Sequence, residues 1–341
     1  MQVLVVINRI AELKPRQTTA MLIAELSRRE ADVFVAELAT IDLVMQDSNS
    51  TVRCSAVATP VARMKSSEGT ASLGNQQARR IELSPLDLVV LRTNPGRDPE
   101  RRPEHEQLLF ALTAIDGIGI RVTNSPSQLS RLAAKSSLFA LSSEHRPRGI
   151  VSTSPKILLE FIADLGDECV VKPVVGSRGQ NVFKLPASLT DDDRTTVYDL
   201  VKLGPVICQE FVPWDRPGDV RFVVFDGEPL EIAGAFAAIH RVPAAGDFRG
   251  NLHAGGTAQA IDPTSEMLAA TRHAAQYLKS HGVILAGIDL VDSRIIEVNV
   301  FSTGGLFDSH RLYERDFVSK IVDGWLRRPQ VRRATREENV L

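Results

Sequence analysis

The segment from Gly282 to Gly305 constrains this chain more than any other. Val283–Val291 is an apolar run that reads as a strand, and Ile295–Val300 reads as its antiparallel partner across a turn at Asp292-Ser293-Arg294. With the turn centred on Ser293, Asp289 stands opposite Glu297, and Asn299, two residues on, faces the same side. Ile288, Leu290, Ile296 and Val298 point to the apolar side. Directly opposed residues bring their β-carbons to about 4.5–5.5 Å. Two carboxylates at that spacing repel unless a cation lies between them, and oxygen donors from Asp, Glu and Asn suit magnesium. Taken singly, each reads as a solvated side chain of a half-exposed hairpin. The three together, on an otherwise apolar ribbon, point to a metal site, which a two-residue slip of register would dismantle.

The rest of the chain alternates strands and helices. Gln2–Ile7 is continuously apolar, as in a strand buried on both faces. Thr18–Arg29 has helical spacing, Leu86–Leu91 and Ile118–Thr123 are further strands, and a helix lies around Glu106–Ile115. This interleaving suggests a parallel sheet. Asp47 to Arg80 is rich in Ser, Thr, Gly and Gln and is expected to be a long loop or partly disordered insertion. From Arg131 a second unit is expected, with a helix at Leu132–Leu141 and strands at Glu168–Pro173 and Asn181–Leu185. From about Gly204 a third follows, with strands at Pro205–Phe211, Val220–Phe225 and Leu230–Ala237 and a hairpin turn at Asp226-Gly227. Thr264 or Ser265 caps a helix that Gly282 ends.

Lys172 closes the apolar run Cys169-Val170-Val171, where a buried cation needs an anion. The loop Gly176–Gly179 behind it lets backbone N–H groups approach phosphates, although it matches no Walker motif. Lys135 lies in a helical stretch, where a solvated side chain is the default. Gln209-Glu210-Phe211-Val212 ends a strand and has the form of an adenine hinge, or simply of a strand end. Arg221, Arg241 and Arg249, with Asn251, form a set suited to carboxylate or phosphate oxygens; Arg249 alone would read as a surface residue of a flexible Gly-rich loop. A net charge of −2 argues against a nucleic-acid coat. Three scattered cysteines and no signal or membrane segment suggest a reduced, cytoplasmic protein.

These residues match a family in order. Val122-Thr123-Asn124-Ser125-Pro126, Ala134-Lys135, Val171-Lys172-Pro173, Gln209 to Pro213, Gly218-Asp219-Val220-Arg221, Asp226-Gly227-Glu228-Pro229, Arg249-Gly250-Asn251-Leu252, Ala254-Gly255-Gly256, Ala286-Gly287-Ile288-Asp289 and Glu297-Val298-Asn299-Val300 follow one another along the chain. From Val3 to about Arg328 the chain resembles bacterial glutathione synthetase, an ATP-grasp ligase. The resemblance implies an α/β (α+β) fold: an N-terminal parallel α/β domain (1–130), a central lid domain (131–208) and a C-terminal catalytic domain (209–328), with a basic tail (329–341). ATP would lie between two antiparallel sheets. Lys135, Lys172, Gly176 and Gly179 would contact its phosphates, and Gln209, Glu210, Phe211 and Val212 its adenine. Asp289, Glu297 and Asn299 would hold magnesium, usually two ions, or manganese in its place. Arg221, Arg241, Arg249 and Asn251 would hold the reacting carboxylate, the phosphoryl group and the tetrahedral intermediate, beneath a lid at Val242 to Thr257.

The implied reaction phosphorylates the carboxylate of γ-glutamylcysteine and lets glycine attack the acylphosphate. The alternatives are the same chemistry on another acid or amine, or a nucleotide-binding protein without catalysis. Small-molecule substrates, no nucleic acid, no membrane and a homo-oligomer are the expected partnerships. The chain departs from the family at Val175 and Arg178, at Ser302-Thr303-Gly304-Gly305 in place of a proline turn, at Gln17, Thr18 and Asn94, and in the Ser-rich stretch. The departures cluster where substrate is chosen.

Overall fold

The computed structural model describes residues 1–29, 31–45, 52–117, 119–176, 180–245, 250 and 255–327. Gly179, Arg249 and Asn251 of the expected site, Ser177, Arg178, the middle of the expected lid and the 329–341 tail lie outside the described residues. The chain divides into two compact units, Met1–Leu129 with Asp316–Leu341, and Ser130–Arg315.

The first unit is built on a six-stranded sheet of β1 (Gln2–Ile7), β2 (Asp32–Met45), β3 (Val52–Pro60), β4 (Arg79–Glu82), β5 (Leu88–Leu91) and β6 (Arg121–Thr123), in the order β4-β3-β2-β1-β5-β6. β1 runs parallel to β2 and β5, and β5 parallel to β6. Val3 to Val6 have no exposed surface, which is why the strand carries no alternation of polar and apolar residues. Around it lie α1 (Thr18–Arg28) and α2 (Arg102–Gly117), and α3 (Pro126–Ala133) runs on into the second unit.

The stretch expected to be a loop holds all of β3 and the first half of β4 instead. β3 pairs antiparallel with β2 and β4, and a 3-10 run, Ser67–Asn75, buries Thr70 and Leu73. Cys54 to Thr59 of β3 are buried except for Val57. These residues, Cys, Ser, Ala and Thr, are small or polar, so hydropathy does not register the strand. The 14-residue β2 goes unrecognised in the sequence for another reason: its register breaks between Ala36 and Ile41.

The second unit holds two sheets. The four-stranded one, in the order β7-β10-β8-β9, consists of β7 (Gly149–Ser152), β8 (Cys169–Pro173), β9 (Phe183–Leu185) and β10 (Val206–Glu210), all antiparallel. α4 (Pro155–Leu165) and α5 (Asp191–Lys202) cover it through Leu158, Ile162, Val197 and Leu200, packed on Cys169, Val171, Val206 and Cys208. Thr190 and Asp193 form a capping box that starts α5.

The larger sheet runs β16-β15-β11-β17-β18, from β11 (Asp219–Phe225), β15 (Ala238–Val242), β16 (Thr257–Gln259), β17 (Leu285–Val291) and β18 (Arg294–Asn299). β12 (Glu228–Pro229) returns on β11 through Asp226-Gly227, both at positive φ as a tight hairpin requires. The expected strand Leu230–Ala237 is a small hairpin of β13 (Glu231–Ile232) and β14 (Ala235–Phe236), because Ala233 and Gly234 turn at positive φ. α6 (Ser265–Ser280) starts at Thr264, whose hydroxyl accepts from Met267 N–H at 3.2 Å. α7 (Leu306–Tyr313) follows the second hairpin. The helix expected over Leu132–Leu141 ends at Ala133 and continues as a 3-10 run, Lys135–Ala140.

The last helix, α8 (Phe317–Arg327), belongs to the first unit, not to the 209–328 segment in which the sequence places it. Its buried stripe is Phe317, Val318, Ile321, Val322 and Trp325. The buried Glu25 of α1 accepts from Ser319 Oγ at 2.9 Å, and Arg29 reaches Asp323 at 3.1 Å.

Candidate active site

The β17–β18 hairpin sets Asp289 opposite Glu297, the expected pairing, by an unexpected route. The turn is two residues long, with Val291 opposite Arg294, which by itself would set Asp289 against Ile296. A bulge after Asp289 takes up the extra residue. Ile295 therefore enters the core with no exposed surface, and Ile296 is only half-buried, reversing the expected roles of that pair. The carbonyl of the bulged Ile296 accepts from Lys172 Nζ at 3.3 Å, so the irregularity also gives the β8 lysine a foothold on β18.

Four strands contribute to one polar face. Asp219 and Arg221 alternate on β11, Arg241 of β15 stands opposite Asp219, and Asp289 of β17 stands opposite Arg221. Arg221 forks onto Asp289, Nε to Oδ1 and Nη2 to Oδ2, the latter at 2.7 Å. Arg241 bridges two acids, Nε donating to Asp219 Oδ1 at 2.6 Å and Nη2 lying 2.8 Å from Asp289 Oδ2. Asn299 Nδ2 is 3.4 Å from the same oxygen. Burial alone would raise the Asp289 carboxyl, but Arg221 and Arg241 outweigh it and hold the group below the usual carboxylate range. Burial pushes Asp219 up, against the pull of Arg241.

Glycine makes this density possible. A β-carbon on Gly287 would lie 2.2 Å from Thr303 Oγ1 and 3.1 Å from Arg221 Cδ. One on Gly218, at φ 101°, would lie 2.0 Å from the Arg241 carbonyl oxygen.

Two buried lysines join this face, Lys172 from β8 of the smaller sheet and Lys135 from the start of the 3-10 run Lys135–Ala140. Lys135 Nζ lies 3.8 Å from Glu297 Oε1 and donates to the Gly176 carbonyl at 3.1 Å. Burial pushes the Lys172 amine down to about 8, with Glu297 partly offsetting it. Gln209 is buried in β10 opposite Val170 and Gly149, where a β-carbon would lie 2.9 Å from the Cys208 carbonyl. Glu210 accepts from Arg148 N–H, and Phe211 N–H donates to Glu168. Val212 is half-buried just past the strand end.

The donor set fits magnesium. Asp289 is held ionised, Glu297 is directly opposite it, and Asn299 becomes an oxygen donor by turning its amide. Among the described residues no group of three His, Cys, Asp or Glu is placed to hold a metal ion, so the third protein ligand would be the Asn299 amide and the remainder phosphate and water. Asp219 was overlooked in the sequence. Its signal is an acid two residues before Arg221 in an otherwise apolar strand.

The first unit carries a second group that sequence reasoning passed over. Arg92, at the carboxyl end of β5, is 5 % exposed, and its Nε donates to Thr19 Oγ1 at 3.2 Å. Burial and the neighbouring Arg97 lower it to about 9. Beside it in the chain, Asn94 caps the turn at Pro95–Arg97 and exchanges bonds with Asn8. Thr18 is buried at the start of α1, and Gln17 bonds the Glu12 carbonyl. Ligands of such sheets bind outside the carboxyl ends of parallel strands where the order reverses, here between β1 and β5.

Two antiparallel sheets, one presenting Lys172 with Lys135 from the adjoining 3-10 run and the other an acid-and-arginine face, define an ATP-grasp enzyme. Solved structures agree on the fold. The ATP-grasp ligase PsnB with its minimal precursor aligns at a TM-score of 0.62 and 20% identity, covering 95% of this chain and 98% of that one. D-cycloserine synthetase DcsG aligns at 0.61 and 18%, covering 95% and 99%. The family models for the prokaryotic glutathione synthetase N-terminal domain and ATP-grasp domain match residues 1–130 and 136–314. Glutathione synthetase of Shewanella oneidensis is 28% identical over 325 residues, 94% of this chain and 96% of the relative. That of Vibrio parahaemolyticus is 30% identical over 252 residues, 73% and 75%. The chain belongs to the prokaryotic glutathione synthetase family and is an ATP-dependent ligase. Among the described residues no helix is long and apolar enough to cross a membrane.

Proposed function

We propose that this ligase joins γ-glutamylcysteine to glycine, using magnesium–ATP and releasing ADP and phosphate. The observation that carries the proposal is the convergence of Asp289, Glu297 and Asn299 with Lys135, Lys172, Arg221 and Arg241 in one unit. Asp289, Glu297 and Asn299 hold divalent ions, two of magnesium or manganese, which neutralise phosphate charge when bound. Lys172 of β8 and Lys135 of the 3-10 run bind the phosphates. Gly176, with Gly179 beyond the described residues, lets that backbone approach them. Gln209 to Val212 receive the adenine at the edge of β10.

Arg221 and Arg241 orient the attacking carboxylate toward the terminal phosphate and stabilise the charge that builds on the transferring oxygens. The product is an acylphosphate, which the amine attacks with loss of phosphate. Arg249 and Asn251, the neighbours of Gly250 in the sequence, complete the anion contacts and exclude water. A cytoplasmic homo-oligomer acting on small molecules, apart from nucleic acid and membrane, fits this chemistry.

A second reading is favoured by one region. Ser302-Thr303-Gly304-Gly305 packs Thr303 against Gly287, and a β-carbon on Gly304 would meet nothing within 4 Å. That open space suits an acid or amine of another shape. The deciding experiment supplies ATP, magnesium, γ-glutamylcysteine and glycine and assays glutathione and ADP in equal amounts. Absence of glutathione, with ADP released by another acid and amine from a panel, selects the second reading.

A further inference from the structure

Arg241 holds two acids with different nitrogens. Its Nε donates to Asp219 Oδ1 at 2.6 Å, and its Nη2 lies 2.8 Å from Asp289 Oδ2. Arg221 covers both Asp289 oxygens, and Asn299 Nδ2 points at one of them. Both Asp289 oxygens thus carry donors, three from the two arginines and one from Asn299. Around this point three carboxylates, Asp219, Asp289 and Glu297, face four cations, Arg221, Arg241, Lys135 and Lys172. A bare divalent ion would add positive charge to a cluster already positive. A nucleotide triphosphate brings the opposite charge and gives both arginines new acceptors.

We propose that Asp289 exchanges its arginines for a divalent ion only when the ion arrives with nucleotide, and that Asp219 is the positioning residue that keeps Arg241 in the cleft through the exchange. The bond from Arg241 Nε to Asp219 is a pivot about which the rigid, planar guanidinium turns as a whole, carrying Nη2 from Asp289 to an incoming anion. The backbone cannot follow that turn. Gly218 and Gly250 enclose the Arg241 carbonyl so closely that a β-carbon on them would lie 2.0 and 2.5 Å from its oxygen. Motion is thereby confined to the Arg241 side chain, whose guanidinium moves as one plane. This device rests on the magnesium–ATP reading but not on the identity of the acid or amine.

The test is a manganese titration of the full-length protein followed by electron paramagnetic resonance, with and without a non-hydrolysable ATP analogue, subtracting the analogue's own ion binding. Ion affinity is expected to be about tenfold or more higher with the analogue. The Arg241→Met variant is expected to gain bare-ion affinity, because it uncovers Asp289. A merely structural arginine would give no such gain. The wild-type titration decides the matter by itself if that variant does not fold. Equal ion affinity with and without bound analogue overturns the exchange alone. Failure of the analogue to bind, read by calorimetry, overturns the magnesium–ATP reading and the exchange with it. For Asp219→Asn, kcat is expected to fall about tenfold or more with KM for ATP unchanged. A raised KM with unchanged kcat overturns the positioning role.

Discussion

Replacing Gly287 with alanine tests the packing of the site at its tightest point. The new methyl group would lie 2.2 Å from Thr303 Oγ1, 3.2 Å from Thr303 Cβ and 3.1 Å from Arg221 Cδ. Thr303 must withdraw by about 1 Å to restore even a tight contact, abandoning its bond to the Gly304 carbonyl at 3.2 Å. Arg221 must bend away from Asp289. Overpacking of this kind costs about 1–3 kcal/mol. In a unit of this size that lowers Tm by roughly 2–12 °C. If the whole cost falls on the placement of Arg221, kcat/KM drops about 5- to 150-fold, at tenfold per 1.4 kcal/mol. The double variant Gly287→Ala, Thr303→Ala removes the hydroxyl that clashes and should recover most of the stability, though less of the activity, since Arg221 Cδ remains crowded. Thermal denaturation and steady-state ADP release measure the two effects. A single variant with the stability and rate of the parent, or a double variant no better than the single, would refute the reasoning.

Other consequences follow from the same geometry. Glu297→Gln should abolish turnover while leaving the fold intact, checked by ADP release and circular dichroism, because Glu297 is part-exposed at the cleft and its nearest ion pair is the 3.8 Å approach of Lys135. Lys172, lowered to about 8 by burial, must be charged to grip phosphate, so KM for ATP should be flat below pH 8 and rise up to about tenfold per pH unit above it. Lys172→Arg, charged throughout, should lose that rise. His105, 2 % exposed, is pushed down to about 4 by burial. The unfolded chain therefore binds the extra proton first, and up to about 3 kcal/mol of stability should disappear as pH falls from 6.5 to 4, less so in His105→Gln, as denaturant titrations across that range would register.

The hairpin was legible in the sequence because strand geometry fixes which side chains share a face, and an acid among apolar residues stands out. Even so, the Asp289–Glu297 pairing came from a two-residue turn plus a bulge, and nothing local in Ile295-Ile296 announces which isoleucine will be squeezed out of the ladder. The tight turn at Asp226-Gly227 was readable from its dipeptide alone, as positive φ at both positions bears out. β3 was not, because Cys54, Ala56 and Ala58 bury little surface and hydropathy gives them no emphasis. α8 shows a different limit. Its apolar stripe is plain in the sequence, yet only tertiary contacts such as that between Ser319 and Glu25 decide which unit it covers. Asp219 and Arg92 escaped attention for one reason: a single charge at the end of an apolar run is ordinary until the structure shows how deeply it is buried.

Crystals of the protein grown with manganese and a non-hydrolysable ATP analogue would test the central claim most directly, through anomalous scattering from the metal. The account requires a manganese peak bounded by Asp289, Glu297 and Asn299, with the analogue's phosphates reaching Lys135 and Lys172. A peak elsewhere, or phosphates bound away from both lysines, would contradict it.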